Sequence, residues 1–170
     1  MKKSDDVGEG ISAGNASSLL SEDDYDAVMN TNAKGAFFVA QAVGKSMINH
    51  GQGGKIINIA SVAAKRVLKQ NIAYCMSKAA VQHMTMALAD EWGRYNIQVN
   101  GINPGYIVTG INQAYWETEV GKKFIQRLPG RRVGSPEALD GTLLLLAGSG
   151  SDFMTGSMIE VDDGLTAHGF

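Results

Sequence analysis

Tyr74 and Lys78 stand four residues apart, and Ser61 lies 13 positions before the tyrosine. In a helix, residues at i and i+4 project from one face about a turn apart, so a phenol and an ammonium at this spacing are neighbours. A free phenol has a pKa of about 10, and bringing it near 7 takes about 4 kcal/mol. An ammonium about 4 Å away supplies about 4 kcal/mol at an effective dielectric near 20 but only about 1 in bulk water. The pair therefore does acid–base work only in a partly desolvated cleft. With a serine hydroxyl to hold the reacting oxygen, such a phenol exchanges a proton with the oxygen on a carbon that exchanges hydride. Side chains cannot supply hydride, so this chemistry, carbonyl/alcohol interconversion, calls for a nicotinamide cofactor.

The elements around these residues follow from local pattern. Ser21 before Glu22, Asp23 and Asp24 predicts a capped helix start with a negative first turn, running over 21–49 with a break near Gly35. Residues 55–60, rich in isoleucine, predict a strand buried on both faces of a parallel sheet, with Ser61 at its end. Ala80, Met84, Ala87 and Leu88 recur at helical steps and predict a helix over 73–95, followed by a strand over 97–102 that Asn103-Pro104-Gly105 ends. Strand, long helix, strand is the pattern of a right-handed parallel crossover. Residues 110–133 predict an amphipathic insertion with Tyr115, Trp116, Phe124 and Leu128 among charges. Ser135-Pro136-Glu137 predicts the start of a last helix, and 157–161 a last strand. The polar, glycine-rich residues 1–18 predict a loop or a disordered segment ahead of a single domain.

Ser61, then Tyr74-x-x-x-Lys78, then Val99-Asn-Gly-Ile-Asn-Pro-Gly105, in this order, resemble the short-chain dehydrogenase/reductase family. Asn30-Thr-Asn-Ala-Lys-Gly35 resembles the segment bearing that family's catalytic asparagine, with the match on Asn32. The resemblance implies Tyr74 as acid/base, Lys78 lowering its pKa, Ser61 orienting substrate, and Asn32 supporting a proton-relay water near the lysine. The run from Pro104 to Thr109 is similar to the family's loop against the nicotinamide. It implies cofactor contacts at Pro104, Gly105, Ile107 and Thr109, beside those of Tyr74 and Lys78. Gly156 to Gly164 resembles the family's last strand and turn.

Over residues 11–164 the implied fold is α/β, a Rossmann-like parallel sheet with helices on both faces, N-terminally truncated. In the family a first strand, a glycine-rich turn and two further strands come before the matched segment. They hold the adenosine and pyrophosphate and read the ribose 2′ position, so NAD and NADP both stay open. Gly8-Glu-Gly10-Ile-Ser-Ala13 matches G-x-G-x-x-A formally, but polar residues precede it and no periodic helix follows until Ser21. The resulting expectation is an NAD(P)-dependent oxidoreductase acting on a small alcohol or ketone. The alternative is a non-catalytic remnant that persists as an oligomer or bound to a partner, because residues 55–60 would then form an exposed sheet edge. The family's dimer helices match those near Ser21 and after Tyr74, which implies a homo-oligomer.

Other classes find little support. A net charge of -2 gives no positive field for nucleic acid or an anionic membrane, and the apolar run at 143–147 is far below the roughly 20 residues that span a bilayer. Met1 to Asp6 lacks the apolar core of an export signal, so Asn15-Ala-Ser17 carries no weight as a glycosylation acceptor. Cys75, the single cysteine, excludes an internal disulfide or a multi-thiolate metal site, fits a reducing cytoplasm, and reads as a small buried residue. His50, His83 and His168 have no ligand spacing, so no metal is expected. A serine hydrolase needs a G-x-S-x-G elbow, which the sequence does not contain.

Overall fold

The computed structural model describes residue 14 and residues 16–167. The glycine pattern at 8–13, Asn15 and His168 lie outside the described residues. Residues 17–19 form a 3₁₀ turn, and Ser21 then caps helix α1 (Glu22–Met29), its side chain accepting the Asp24 N–H at 3.1 Å. The expected break near Gly35 is a change of pitch: Asn30–Gly35 is a π-helical stretch, after which α2 (Ala36–His50) continues. A π-bulge widens one turn and re-aims its side chains, which is why such bulges recur at functional sites.

Strand β1 (Gly54–Ile59) leads through a 3₁₀ turn at Val62–Ala64 to α3 (Ile72–Trp92) and then to β2 (Ile97–Pro104). β2 runs two residues beyond the expected end, because Asn103 and Pro104 pair with Glu160 and Val161 of β3 (Met158–Val161). Pro104 is tolerated there as the last residue of the strand, and the next N–H, that of Gly105, completes the ladder to the Val161 carbonyl at 2.9 Å. The sheet is parallel throughout, in the order β1-β2-β3. Between β2 and β3 lie α4 (Gln113–Trp116), α5 (Glu119–Ile125) and α6 (Asp140–Ala147). The helix expected to open at Ser135 begins as a 3₁₀ turn, Pro136–Leu139, with no side-chain cap from the serine, and the α-helix itself starts at Asp140.

Successive strand residues point to opposite faces, and both faces of β2 are buried. Ile97 and Val99 join Leu88, Ala89 and Trp92 of α3 and Ala40 of α2 in the main core, with Ile56 and Met47 packed against it. α2 lies close to α3 because Gly44 faces the Trp92 ring, where a Cβ would sit 2.5 Å from the indole. α6 packs on β1 and β2 as well, where Asn100 and Ile102, of the other parity, are also buried. Among the described residues β1 has one neighbouring strand, and Ile59 is 44% exposed. Among the described residues no helix is long and apolar enough to cross a membrane.

Candidate active site

Lys78 and Tyr74 lie together at the start of α3, Asn32 is joined to that turn through Ser77, and Ser61 follows the end of β1. Ser61 continues β1 in extended conformation, is 8% exposed, and caps the turn at Val62–Ala64 by accepting the Ala63 N–H at 3.1 Å. Lys78 is 7% exposed, and its ammonium donates to the Ile59 carbonyl at 3.2 Å and lies 5.6 Å from the centre of the Tyr74 ring. Burial holds the Lys78 pKa below the usual lysine value, since desolvation penalises the cation. This is the partly desolvated setting in which a single positive charge acts strongly on a phenol.

Asn32 is also buried, at 6% exposure. Its amide donates to the Ser77 hydroxyl at 3.1 Å, and that hydroxyl donates to the Tyr74 carbonyl at 2.8 Å. The π-helical stretch thereby fastens to the first turns of α3 between Tyr74 and Lys78. Sequence reading missed Ser77; its place three residues after Tyr74, on the helix face that turns inward, is the signal that could have found it.

The Pro104–Thr109 loop is held from outside the run of residues that the sequence singled out. Asn112 donates to the Ile107 carbonyl at 2.9 Å and accepts the Thr109 N–H at 2.8 Å, and the Trp116 indole N–H donates to it at 2.9 Å. Gly105 is required by the chain itself, for a Cβ there would lie 2.7 Å from the Asp162 Cα. Ile107 forms a parallel bridge with Gly134. The Tyr106 ring between these residues meets Trp116 and Phe124 edge to face at 5.7 and 5.1 Å, so the aromatics of the insertion dock onto this loop. Burial raises the Tyr106 phenol above its ordinary pKa; Arg66 acts against that, while Tyr115, Cys75 and Tyr74 add to it.

A polar row that the sequence did not reveal supports the turn after Ser61. Asn103, fully buried, donates to Gln82 at 3.0 Å and to Glu160 at 3.1 Å, and Glu160 pairs with Lys65. Burial alone would raise Glu160, but the bonds from Lys65 and Asn103 outweigh it and hold its pKa below the usual carboxylate value. Cys75 is half-buried, its sulfur 3.5 Å from the Leu68 N–H, and so pins the loop before α3. No group of His, Cys, Asp and Glu among the described residues is arranged to hold a metal ion.

The residues present suit the nicotinamide end of a dinucleotide: a desolvated ammonium at Lys78 beside a phenol, and a loop rigidly clamped by Asn112. The described residues include no glycine-rich turn between a strand and a helix ahead of β1 that would grip the pyrophosphate.

Comparison with known proteins gives the lineage. Residues 9–166 match the family model described as Enoyl-(Acyl carrier protein) reductase. An NAD-dependent glycerol dehydrogenase of Listeria innocua is 41% identical over 86% of this chain and 58% of its own. A 2-dehydro-3-deoxy-D-gluconate 5-dehydrogenase of Dickeya dadantii is 42% identical over 87% of this chain and 59% of its own. The structure of a gluconate 5-dehydrogenase from Burkholderia cenocepacia in complex with NADP and tartrate superposes with a TM-score of 0.89 at 36% identity, over 96% of this chain and 64% of that one. The chain thus spans less than two thirds of the length of each of these relatives. Similarity of this degree across nearly all the described elements reflects common descent, and the chain belongs to the short-chain dehydrogenase/reductase family.

Proposed function

We propose that this chain carries the proton-transfer and substrate side of an NAD(P)-dependent oxidoreductase that interconverts a small alcohol and its ketone. The observation that carries the reading is the buried Lys78 ammonium 5.6 Å from the Tyr74 ring, braced through Asn32 and Ser77. Tyr74, as phenolate, takes the hydroxyl proton of the alcohol, and as phenol returns it to the ketone oxygen. Lys78 favours the phenolate electrostatically. Ser61 orients the reacting oxygen at the end of β1, and Asn32 supports proton relay beside Lys78. When bound, the nicotinamide supplies the hydride acceptor or donor, so the carbon and the cofactor exchange two electrons while Tyr74 carries the proton. Pro104, Gly105, Ile107 and Thr109, with Tyr74 and Lys78, are the residues that would hold the nicotinamide ribose and carboxamide. Relatives named for glycerol, gluconate and 2-dehydro-3-deoxygluconate support a substrate among small polyols and sugar acids, and the proposed assembly is a homo-oligomer.

Titrating the purified chain with NADH and NADPH while following nicotinamide fluorescence tests this directly, with the Tyr74→Phe, Lys78→Ala double variant as control. Saturable binding near micromolar cofactor that weakens in the variant is expected. A folded chain that takes up neither cofactor at millimolar concentration refutes the oxidoreductase reading. The edge of β1 that no described strand pairs and the exposed Leu143, Leu144 and Leu145 favour the second reading, a non-catalytic chain that persists by association.

A further inference from the structure

Asn112 opens α4 but does not cap it. An asparagine at this position ordinarily accepts an N–H from the first turn of its own helix, and here the side chain makes no such bond. It turns back to the preceding loop instead. Its Oδ1 accepts the Thr109 N–H at 2.8 Å, and its Nδ2 donates to the Ile107 carbonyl at 2.9 Å. The same Oδ1 accepts the Trp116 indole N–H at 2.9 Å, from one turn further along. A carboxamide oxygen has two lone pairs, so one donor from each side fills it. The amide is thereby shared between the Pro104–Thr109 loop and the aromatic insertion.

Each side is braced by itself. On the loop side, the Val108 N–H donates to the Gly134 carbonyl and the Gly134 N–H to the Tyr106 carbonyl, both at 2.8 Å, and the Thr109 carbonyl accepts the Gln113 N–H at 3.0 Å. Among the described residues the Thr109 hydroxyl and the Ile107 N–H have no partner, so the clamp occupies the other polar groups of these two residues and leaves those donors for a ligand. On the insertion side, the Thr118 hydroxyl donates to the Tyr115 carbonyl at 2.7 Å and accepts the Gly121 N–H at 3.0 Å, which ties α5 to α4. The Trp116 ring meets Tyr115 and Phe124 of the insertion and Tyr106 of the loop. Ring contacts tolerate sliding, whereas hydrogen bonds on one planar amide are directional and set how the two sides are oriented.

We infer that Asn112 is a positioning residue that couples the aromatic insertion to the nicotinamide loop: the seated Trp116 indole holds the amide in the orientation that sets Ile107 and Thr109. This rests on the oxidoreductase reading above, in which Ile107 and Thr109 meet the nicotinamide. A ligand that shifts the insertion is then felt at the loop, and cofactor on the loop is felt equally at the insertion, because coupling between binding sites is reciprocal.

Hydrogen exchange in the full chain, followed by heteronuclear NMR, reads the coupling without any ligand. The Trp116 indole resonance is told from that of Trp92, the other tryptophan, by its loss in Trp116→Phe. Asn112→Ala is expected to speed exchange of both the Thr109 amide and the Trp116 indole by at least about tenfold, as the bonds that protect them are lost. Asn112→Asp retains the acceptor oxygen and should leave both protected. Trp116→Phe retains an aromatic ring, removes the indole N–H on the far side of the amide, and should speed exchange at Thr109. Thermal melts establish that the variants are folded. Titration with NADH supplies the functional arm: Asn112→Ala is expected to weaken binding by about tenfold at an unchanged melting temperature, a loss that a merely structural residue would not produce. Thr109 exchange that is alike in wild type and Asn112→Ala, or that Trp116→Phe leaves unchanged, overturns the inference, and so does equal NADH affinity in wild type and Asn112→Ala. The two claims fail separately. A wild-type chain that takes up neither NADH nor NADPH at millimolar concentration, with the exchange pattern as expected, removes the oxidoreductase reading and leaves the coupling through Asn112 standing.

Discussion

α3 and α6 both pack on β1 and β2, yet they meet solvent in opposite ways. α3 buries Ala73, Ser77, Lys78, Val81, Thr85, Leu88, Ala89 and Trp92 along its length, polar groups among them. Of α6 only Leu146 is buried, while Leu143, Leu144 and Leu145 are 43%, 72% and 43% exposed. The more apolar helix is therefore the less buried one. The buried polar groups of α3 are partnered: Lys78 bonds to Ile59, Ser77 to Asn32 and Tyr74, and Thr85 to Asn58 and Val81. A satisfied polar network under a helix fixes one geometry, as the proposed proton transfer requires, whereas exposed leucines beside a strand edge that no described strand pairs specify contact without geometry.

This contrast can be attacked from the core outward. Leu88→Ala, on the buried face of α3, should cost about 2–5 kcal/mol in urea denaturation, the range for a core leucine. If the loss is no greater than for a surface residue, the α3 side is not the rigid half of the molecule.

Lys78→Met tests whether the buried cation is a stability liability. In the folded chain the Lys78 pKa lies below its unfolded value of 10.5. Between those two values the unfolded chain binds more protons, so unfolding free energy rises with pH; below the folded value the full penalty is present. The methionine variant should lose that alkaline rise and be the more stable protein at neutral pH, even as Tyr74 loses its cation. A wild-type stability curve that falls across the same alkaline window would show that other groups outweigh Lys78.

The smallest effect is expected on α6. Leu144→Lys should change folding stability by no more than about 0.5 kcal/mol, as for an exposed site. It should nonetheless reduce self-association in sedimentation velocity, where a cation disfavours apolar contact. An unchanged sedimentation profile would remove the exposed leucines from any account of assembly.

Much of this was legible in local pattern. Ser21 with its acids marked the start of α1, the isoleucines of 55–60 marked β1, and the Tyr74/Lys78 spacing placed phenol and ammonium on one face of α3. These readings rest on periods of 3.6 and 2 residues and on capping chemistry, which a chain writes into neighbouring positions. The extension of β2 through Pro104 escaped, because that proline's tolerance depends on a strand more than fifty residues further on. So did the 3₁₀ start of the last helix, where proline gave the right position but not the right pitch.

What the sequence determined by itself is a local arrangement: which residues with exchangeable protons stand in which order, on which elements. Tertiary structure alone decided what surrounds them. Asn32 reaches Ser77 across 45 residues, Asn103 reaches Glu160 across 57, and Arg66 reaches Leu165 across 99. Asn112, only a few residues past the loop it clamps, also needed the fold, since nothing in its spacing says that its amide turns back to Ile107 and Thr109. The physical reason is the same for all four. Backbone periodicity fixes a side chain's direction from its own element, while its partner, its desolvation and therefore its charge state follow from how separate elements pack.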